Sequence, residues 1–512
     1  MNIEKTSETI LKKMMLRTLL IMTGILGIVL VSGCKTEEDY RKERAEKAVR
    51  YFATSQFKED EIKTEQRLTL DQCIAIGLKN NLDIKVFNLE EDIAAELRTA
   101  EILGMLPDIT INNNFSGRSN VPASGSKAYK SDGATYGASQ SQDQNINNFN
   151  IDFALSVMDF GLAFFNSQQA NDRLLMKKQR TERMAQNLTL DIIHAYCRVA
   201  AAQRAQSITQ GLLNTCRDRN ELIGNLAKNK KITPFRAFDE PRRFIEMERR
   251  LTTYILDYQN ACVELRSLLG YYPSGRITVD DSFLDKVPSV DLPDLELLEQ
   301  IALIRRPELR ETDIQRHISV VECRKAILSM FPNARIFFDF NNVNNSFLYK
   351  QSWWDMGIQA AFNLLKLPQK ISQAMAYSQQ ADAETMRSFG QAIAIMAQVR
   401  ISHADILANK DIYDRAAKTF KNYDTALKAA QKNRKIAASE LSRLEVDHMR
   451  LTTAEASIEQ TLSLANYYVS FYRLMNAIGM RDTAQDAMKK LPAELKAAQT
   501  EAGVVLSQGK GK

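Results

Sequence analysis

The chain has 512 residues, of which 45% are hydrophobic and 25% charged. This is the composition of a folded protein and not of a disordered one, and a single compact core rarely grows to this size. The net charge of +6 is small for such a length and does not by itself indicate a nucleic-acid-binding protein. Gly and Pro are scarce, with 20 and 11 residues, which favours long helices.

The N-terminal segment predicts export from the cytoplasm. Basic residues around Lys12 and Arg17 precede an apolar run from Leu19 to Val31, a length suited to a signal peptide. The run closes on small residues before Cys34 and resembles a bacterial lipobox. That resemblance implies cleavage before Cys34 and attachment of lipid (palmitate) to it, and Lys35 at the next position favours the outer membrane. An ordinary signal peptide with an incidental cysteine is the alternative.

The remaining cysteines and the histidines predict no metal site. Five further cysteines are scattered without CxxC spacing, and we interpret them as small buried apolar side chains. His194 and Cys197 lie three residues apart on a predicted helix, but no further ligand accompanies them. No GxSxG, HExxH, Walker or Rossmann motif is present. We therefore predict a protein that is not an enzyme and has no cofactor beyond the lipid expected on Cys34.

The chain aligns with itself, which predicts two copies of one unit. At an offset of 225, Asn81–Ile84 aligns with Arg306–Leu309, and Ile102–Pro107 aligns with Ile327–Pro332 without a gap. The offset then falls to 204, because the first copy carries an extra loop rich in Ser, Gly, Asn and Gln at Ser116–Asn148.

Period-two alternation predicts two strands in each copy, at about 107–117 and 149–160, and at about 333–342 and 352–364. About ten residues is the length that a tilted strand needs to cross a bilayer. Tyr349, Trp353 and Trp354 lie near one end, as membrane-interface aromatics do. Soluble hairpins are the alternative interpretation.

Long helices are predicted for most of the remainder, at about Leu162–Leu226 and Ile371–Ala430, each followed by a second helix. Between the helices of each pair lie the basic pentapeptides KNKKI, residues 228–232, and KNRKI, residues 432–436. We interpret them as the turns of two helical hairpins and not as a nucleic-acid patch.

Four strands cannot close a transmembrane barrel, and open edges are not tolerated in lipid. Several chains must therefore share one barrel, for which eight strands from a dimer are the minimum and a trimer would supply twelve. The helices are too polar to follow the strands into lipid and must project into water.

Several segments resemble the TolC family of outer-membrane efflux proteins: LTLDQCIAIGLKNNLDI, AEILGMLPDITI, FALSVMDFG and FNLLKLPQKISQA. With the duplicated order helix–strand–strand–helix–helix, the resemblance covers about residues 68–480. It implies a mainly α chain with transmembrane β-strands, forming a homotrimer with a twelve-stranded barrel continued by a long α-helical barrel. The implied function is passive export with a periplasmic adaptor and an inner-membrane pump. A periplasmic coiled-coil scaffold lipoprotein without a pore is the alternative.

These inferences divide the chain into six predicted regions: signal peptide 1–33, lipidated segment 34–67, first repeat 68–270, linker 271–293, second repeat 294–480 and C-terminal tail 481–512.

The hairpin tips, at about 227–235 and 431–439, are the predicted functional positions, for adaptor docking or gating. The candidate residues are Lys228, Lys230, Lys231, Thr233, Lys432, Arg434, Lys435 and Glu440. The family usually has glycine where Lys231 and Lys435 stand, so the backbone of these turns is an open question. A basic ring around a channel entrance is one interpretation, and lysines that complement the dipole of the preceding helix are the other.

Overall fold

In this computed structural model of the protein, residues 35–57, 67–125, 137–288, 292–433 and 440–481 are described. The predicted signal peptide, the predicted lipidation residue Cys34 and nearly all of the predicted tail lie outside these residues. The chain divides into two compact units, Met1–Gln66 and Arg67–Lys512.

The first unit contains helix α1, Glu37–Phe57. Thr36 precedes this helix, and its Oγ1 accepts a hydrogen bond from the Asp39 backbone N–H at 3.3 Å. On the exposed surface, hydrogen bonds from Lys35 and then Lys47 lower the pKa of Glu43 to about 2. Ion pairs four residues apart support an exposed helix of this kind only weakly.

The second unit contains the predicted strands and long helices. Its first half comprises α2 (Leu70–Asn80), α3 (Leu82–Leu103), β1 (Asp108–Gly117), β2 (Ala123–Ser124), β3 (Ser139–Gln140), β4 (Asn145–Ser156), α4 (Val157–Lys228) and α5 (Pro234–Leu268). Its second half comprises α6 (Leu295–Arg305), α7 (Pro307–Leu328), β5 (Asn333–Val343), β6 (Ser352–Ala361), α8 (Leu367–Asn433) and α9 (Glu440–Ala477). Apart from the small hairpin β2–β3, both halves have the order helix, helix, strand, strand, long helix, helix.

The second strand ends earlier than the alternation predicts. Residues 157–160, predicted as strand, form the first turn of α4 instead, and β4 covers Asn145–Ser156. The Ser156 Oγ accepts a hydrogen bond from the Asp159 backbone N–H at 3.2 Å and so caps the helix at this point. From there α4 continues for 72 residues, or about 108 Å at 1.5 Å per residue.

The fourth strand is also shorter than predicted, because β6 ends at Ala361 and the predicted strand extended to residue 364. A short 3₁₀ helix, Leu364–Lys366, follows, and α8 then begins at Leu367. Pro368 lies in the first turn of α8, where its missing N–H leaves no helical hydrogen bond unmade.

The long helices pack side by side as a wall. Near the strands, the packed neighbours follow the order α3, α4, α7, α8, and farther along the order is α5, α4, α9, α8. Both orders place α8 at one edge and the helices α3 and α5 at the other. None of the described helices is both long enough and apolar enough to cross a membrane.

The part of the predicted linker at 271–288 lies against the middle of the wall. Its Val279 forms a parallel β-bridge with Leu68, which precedes α2. Tyr196 of α4 is buried beneath the bridge and donates a hydrogen bond from its hydroxyl to the Asp280 carbonyl at 2.6 Å. The linker therefore ties the start of the first half to α4.

The second helix of each hairpin is followed by a glycine in a left-handed turn. Gly270 follows α5 with a φ of +74°, and Gly479 follows α9 with a φ of +79°. Each turn is closed by a hydrogen bond from the next residue back into the helix, from Tyr271 to Arg266 and from Met480 to Met475, both at 2.9 Å.

A Cβ atom at either glycine would meet the backbone of the opposite chain segment. At Gly270 it would lie 2.9 Å from the Asn80 carbonyl oxygen, and at Gly479 it would lie 3.2 Å from the Arg305 carbonyl carbon. Both turns therefore need glycine for its backbone conformation and for its lack of a side chain.

We expect Gly479→Ala to lower the free energy of unfolding by about 1–3 kcal/mol, because alanine is strained at this φ and crowds Arg305. Urea unfolding of the purified protein measures the effect. Gly211→Ala, in the middle of α4 with open space around the new methyl group, is the matched control and should stabilise by about 0.5–1 kcal/mol. Equal shifts in the two variants would contradict the role assigned to Gly479.

Candidate functional site

The four long strands form one antiparallel sheet in the order β1-β4-β5-β6. The register aligns Ile111 with Ile151, Ile151 with Phe340, and Phe340 with Trp354 across the sheet. Because aligned residues point to the same side of a sheet, most of the large apolar side chains of all four strands lie on one face.

This apolar face is exposed in the single chain. Met356 is 79% exposed and Ile358 is 75% exposed. Large side chains of the apolar face occupy every strand: Ile109, Ile111, Phe115, Phe149, Ile151, Phe153, Leu155, Ile336, Phe338, Phe340, Trp354, Met356 and Ile358. An exposed apolar surface of this extent marks a region that contacts lipid or another protein.

The opposite face is mainly polar and hydrogen-bonded across the strands. Asn150 Nδ2 donates to Asn341 Oδ1 at 2.9 Å, and Asn341 Nδ2 donates to Asp355 Oδ2 at 3.1 Å. Arg335 forms an ion pair with Asp152. Polar side chains on this face come from all four strands: Thr110, Asn112, Asn114, Asn148, Asn150, Asp152, Arg335, Asp339, Asn341, Asp355 and Gln359. Such a face suits contact with water.

The predicted membrane-interface aromatics do not form one set. Trp354 lies on the apolar face, stacked on Phe338 with ring centroids 4.9 Å apart. Trp353 lies on the polar face, because neighbouring residues of a strand alternate, and its Nε1 donates to Asp355 Oδ2 at 2.8 Å. Trp353 and Trp354 therefore lie on opposite faces of the sheet, and their position at a membrane interface stays a prediction. Tyr349 lies in the β5–β6 connection and is almost fully exposed.

The first hairpin tip is a tight turn between α4 and α5. Lys230 has a φ of +52°, the one positive value of a non-glycine residue in the described part of the chain. The Lys231 N–H donates to the Leu226 carbonyl at 2.9 Å, and the Thr233 hydroxyl caps α5 by accepting from the Arg236 N–H at 3.4 Å. The left-handed residue is thus Lys230 and not Lys231, where the family's glycine was expected.

The candidate basic residues of the first tip are exposed. Lys228, Lys230 and Lys231 form no ion pair with any described residue, so their charges face solvent. In the second tip, Lys432 is exposed near the end of α8, and Glu440 begins α9. Arg434 and Lys435 lie outside the described residues.

Behind the first tip, α4, α5 and α9 share an apolar core that includes Ile223, Phe244 and Leu451. Ion pairs join the same helices, from Arg219 to Asp447 at 2.8 Å and from Arg250 to Glu455 at 3.0 Å. Sequence reasoning missed these ion pairs, because their members are isolated charges on three separate helices.

His448 of α9 also lies in this region, with its ring edge-to-face against Phe244 at a centroid distance of 6.2 Å. Burial lowers the pKa of His448 below its ordinary value of 6.5, and Arg243 and Arg250 act in the same direction. The folded protein therefore favours the neutral ring.

We expect acid to weaken this helix contact. Because the folded-state pKa of His448 is lowered, its stabilising contribution is fully present above pH 6.5 and is lost as the pH falls through the folded-state value. Urea unfolding across this pH range should show a smaller loss of stability for His448→Gln than for the unchanged protein. His403→Gln serves as the control, and an unchanged pH profile in His448→Gln would contradict the assignment.

Comparisons with known proteins locate this architecture among solved structures. No protein-family model matches the sequence, and no curated protein matches it. The outer-membrane channel OprN matches with a TM-score of 0.61 at 15% identity, covering 83% of this chain and 91% of its own. The open state of the Neisseria gonorrhoeae MtrE outer-membrane channel matches with 0.63 at 16% identity, covering 81% and 90%. The Campylobacter jejuni CmeC outer-membrane channel matches with 0.63 at 12% identity, covering 85% and 90%.

The protein has the fold of the TolC family. The resemblance seen in the sequence is thus confirmed at the level of the fold, which is mostly helical with a small sheet. Within the residues described here, the TolC-like fold brings together no His, Cys, Asp or Glu cluster that could hold a metal ion.

Proposed function

We propose that the protein is an outer-membrane channel that passes substrates from the periplasm to the exterior. The observation that carries the proposal is the two-faced sheet at the end of a long helical wall. Its exposed apolar face suits lipid, and its polar face suits a water-filled lumen. The structurally similar proteins OprN, MtrE and CmeC are outer-membrane channels, and this similarity supports the same function.

The strand lengths agree with a membrane-spanning position. The four strands have 10, 12, 11 and 10 residues. At about 3.3 Å per residue they extend for about 33–40 Å. With a tilt of about 45° they would cover the roughly 25 Å apolar band of an outer-membrane barrel.

We infer that three copies share one barrel. Backbone groups at the open edges, β1 and β6, need partners in lipid. The pairing of β6 with β1 of the next copy would repeat, between chains, the β4–β5 pairing that joins the two halves within one chain. Three copies would then give twelve strands, each chain contributing two copies of a duplicated unit.

The helical wall supports the same closure, because both of its edges expose apolar stripes. On α3 these side chains are Leu82, Val86, Leu89, Ile93 and Leu97. On α8 they are Met386, Phe389, Ile393 and Ile401. Their spacing keeps each stripe on one side of its helix. Contact between α8 of one copy and α3 of the next would cover both stripes and close the wall into an α-helical barrel.

The first hairpin tip, the end of α8 and the start of α9 lie at the far end of the wall from the sheet. In the proposed trimer, the basic side chains of all tips would surround the periplasmic entrance. We propose that they dock a periplasmic adaptor, which connects the channel to an inner-membrane pump, and that lipid on Cys34 anchors the N-terminal segment in the outer membrane.

Ion current and oligomeric state test the channel directly. We expect the purified protein to have the mass of three copies and to produce discrete current steps in a planar bilayer. Monomers that produce no current would favour the alternative, a periplasmic scaffold lipoprotein.

Neighbouring substitutions on β6 test the orientation of the sheet. We expect Ile358→Arg, on the apolar face, to destabilise the membrane-inserted protein by about 1–3 kcal/mol, because β6 ends three residues later and the cost of a charge falls from the bilayer midplane toward the interface. Gln359→Arg, on the polar face, is the matched control and should cost less than about 1 kcal/mol, which covers repulsion by its cross-strand partner Arg335. Unfolding of the protein in lipid vesicles measures both, and a larger effect for Gln359→Arg would reverse the assignment of the faces.

The tips are tested by replacing Lys230, Lys231, Arg434 and Lys435 together with Ala. If the tips dock an adaptor, we expect lower efflux-dependent resistance in cells with unchanged trimer assembly. Unchanged resistance would mean that these side chains only end helices in solvent. Lys418→Ala together with Lys421→Ala, on the side of α8, removes half as many positive charges and tests whether charge loss away from the tips lowers resistance.

A further inference from the structure

A cleft of about 410 Å³ lies where the sheet meets the helices, between the start of α4, the end of α7 and the start of α8. Its apolar walls include Leu162, Met330, Phe331, Phe362 and Leu367. It is lined by residues of one chain and lies at the α8 edge of the wall, beside the end of the edge strand β6.

Among the residues that the structure describes, two lysines are the charged side chains that line the cleft. Lys366 ends the 3₁₀ helix that precedes α8, and Lys370 lies four residues later in the first turn of α8, so both side chains reach the same cleft. No acidic side chain lines the cleft, and neither lysine forms an ion pair with any residue that the structure describes. An anionic ligand would find two uncompensated cations here.

The cleft also lies at the end of the sheet, where positions of both faces line it. Asn333 pairs with Ala361 in the last rung, on the polar side, and Phe362, the first residue after β6, continues the alternation on the apolar side. Beside it, Leu365 is 92% exposed and Phe331 is 62% exposed. Apolar contact and positive charge thus meet at the level where the strands end and the helices begin.

We propose that the Lys366–Lys370 cleft binds an anionic phospholipid of the leaflet that borders the helices. An acyl chain would pack against Leu162, Met330 and Phe331, and the phosphate would lie between the two amines. The ligand must be amphiphilic, because a free anion would leave the apolar walls uncovered. This inference depends on the proposed function, which positions the sheet in a membrane.

The two halves of the chain differ at this point. By the offset of 204 that aligns the two halves here, Lys366 and Lys370 correspond to Leu162 and Asn166. The junction that begins at α4 therefore lacks both charges. We expect one anionic-lipid site per chain and not two.

Lipid retention tests the proposal on the full-length protein. The protein is reconstituted with equal amounts of phosphatidylglycerol and phosphatidylcholine, then extracted in mild detergent, and the retained lipids are counted by native mass spectrometry. We expect preferential retention of about one phosphatidylglycerol per chain. Lys366→Gln with Lys370→Gln should reduce this preference about twenty-five-fold, at about five-fold per lysine, and the corresponding double Arg variant should preserve it.

Lys418→Gln with Lys421→Gln, on the same helix, removes the same charge elsewhere and should retain the lipid. Equal retention of the two lipids by the unchanged protein would overturn the proposal. So would complete displacement of phosphatidylglycerol by inorganic phosphate, because the site would then bind phosphate and not lipid.

Conductance in a planar bilayer separates this inference from the proposed channel. A protein that conducts but shows no lipid preference refutes the cleft alone. A protein that selects phosphatidylglycerol through the two lysines but never conducts supports the cleft and refutes the channel.

Discussion

The buried guanidinium of Arg306 joins more of the structure than any other side chain described above. Arg306 lies between α6 and α7 in the second half, is 2% exposed, and donates from Nη1 to the Ala477 carbonyl of α9 at 3.2 Å. Its Nη2 donates to Gln398 of α8 at 2.8 Å and to Glu308 at 2.9 Å. A buried charge is tolerated only when it is fully hydrogen-bonded. The helices that meet at Arg306 must therefore keep their relative positions.

Asn81 has the matching role in the first half, at the position that the offset of 225 aligns with Arg306. It caps α3 by accepting from the Asp83 N–H at 2.9 Å, and its Nδ2 donates to the Leu268 carbonyl at the end of α5 at 3.2 Å. In each half, a polar side chain between two helices donates hydrogen bonds to the last carbonyls of that half's helical hairpin. Gly270 and Gly479 allow the end of each hairpin to come this close, because their turns lie against the residues that precede Asn81 and Arg306.

Much of this architecture could be predicted from the sequence, because hydrophobic period and repeat offset are properties of the chain alone. Strand ends could not be predicted as well, since Ser156 caps a helix at a point where the alternation still continues. The face of Trp353 required the register, and the polar ladder through Asn150, Asn341 and Asp355 required knowledge of which strands are neighbours. For the first tip, the sequence indicated a turn, but only the backbone identifies Lys230 as its left-handed residue.

The open edges of the sheet also constrain how the proposed channel would reach its membrane. A lone chain has unpaired backbone groups on β1 and β6, and lipid offers them no partners. Chains would therefore have to meet before or during insertion, which makes biogenesis a reaction of higher order in protein concentration. Until they meet, the same edges could add strands from the wrong partners. Escort by a chaperone in the periplasm would then be a kinetic requirement of this fold.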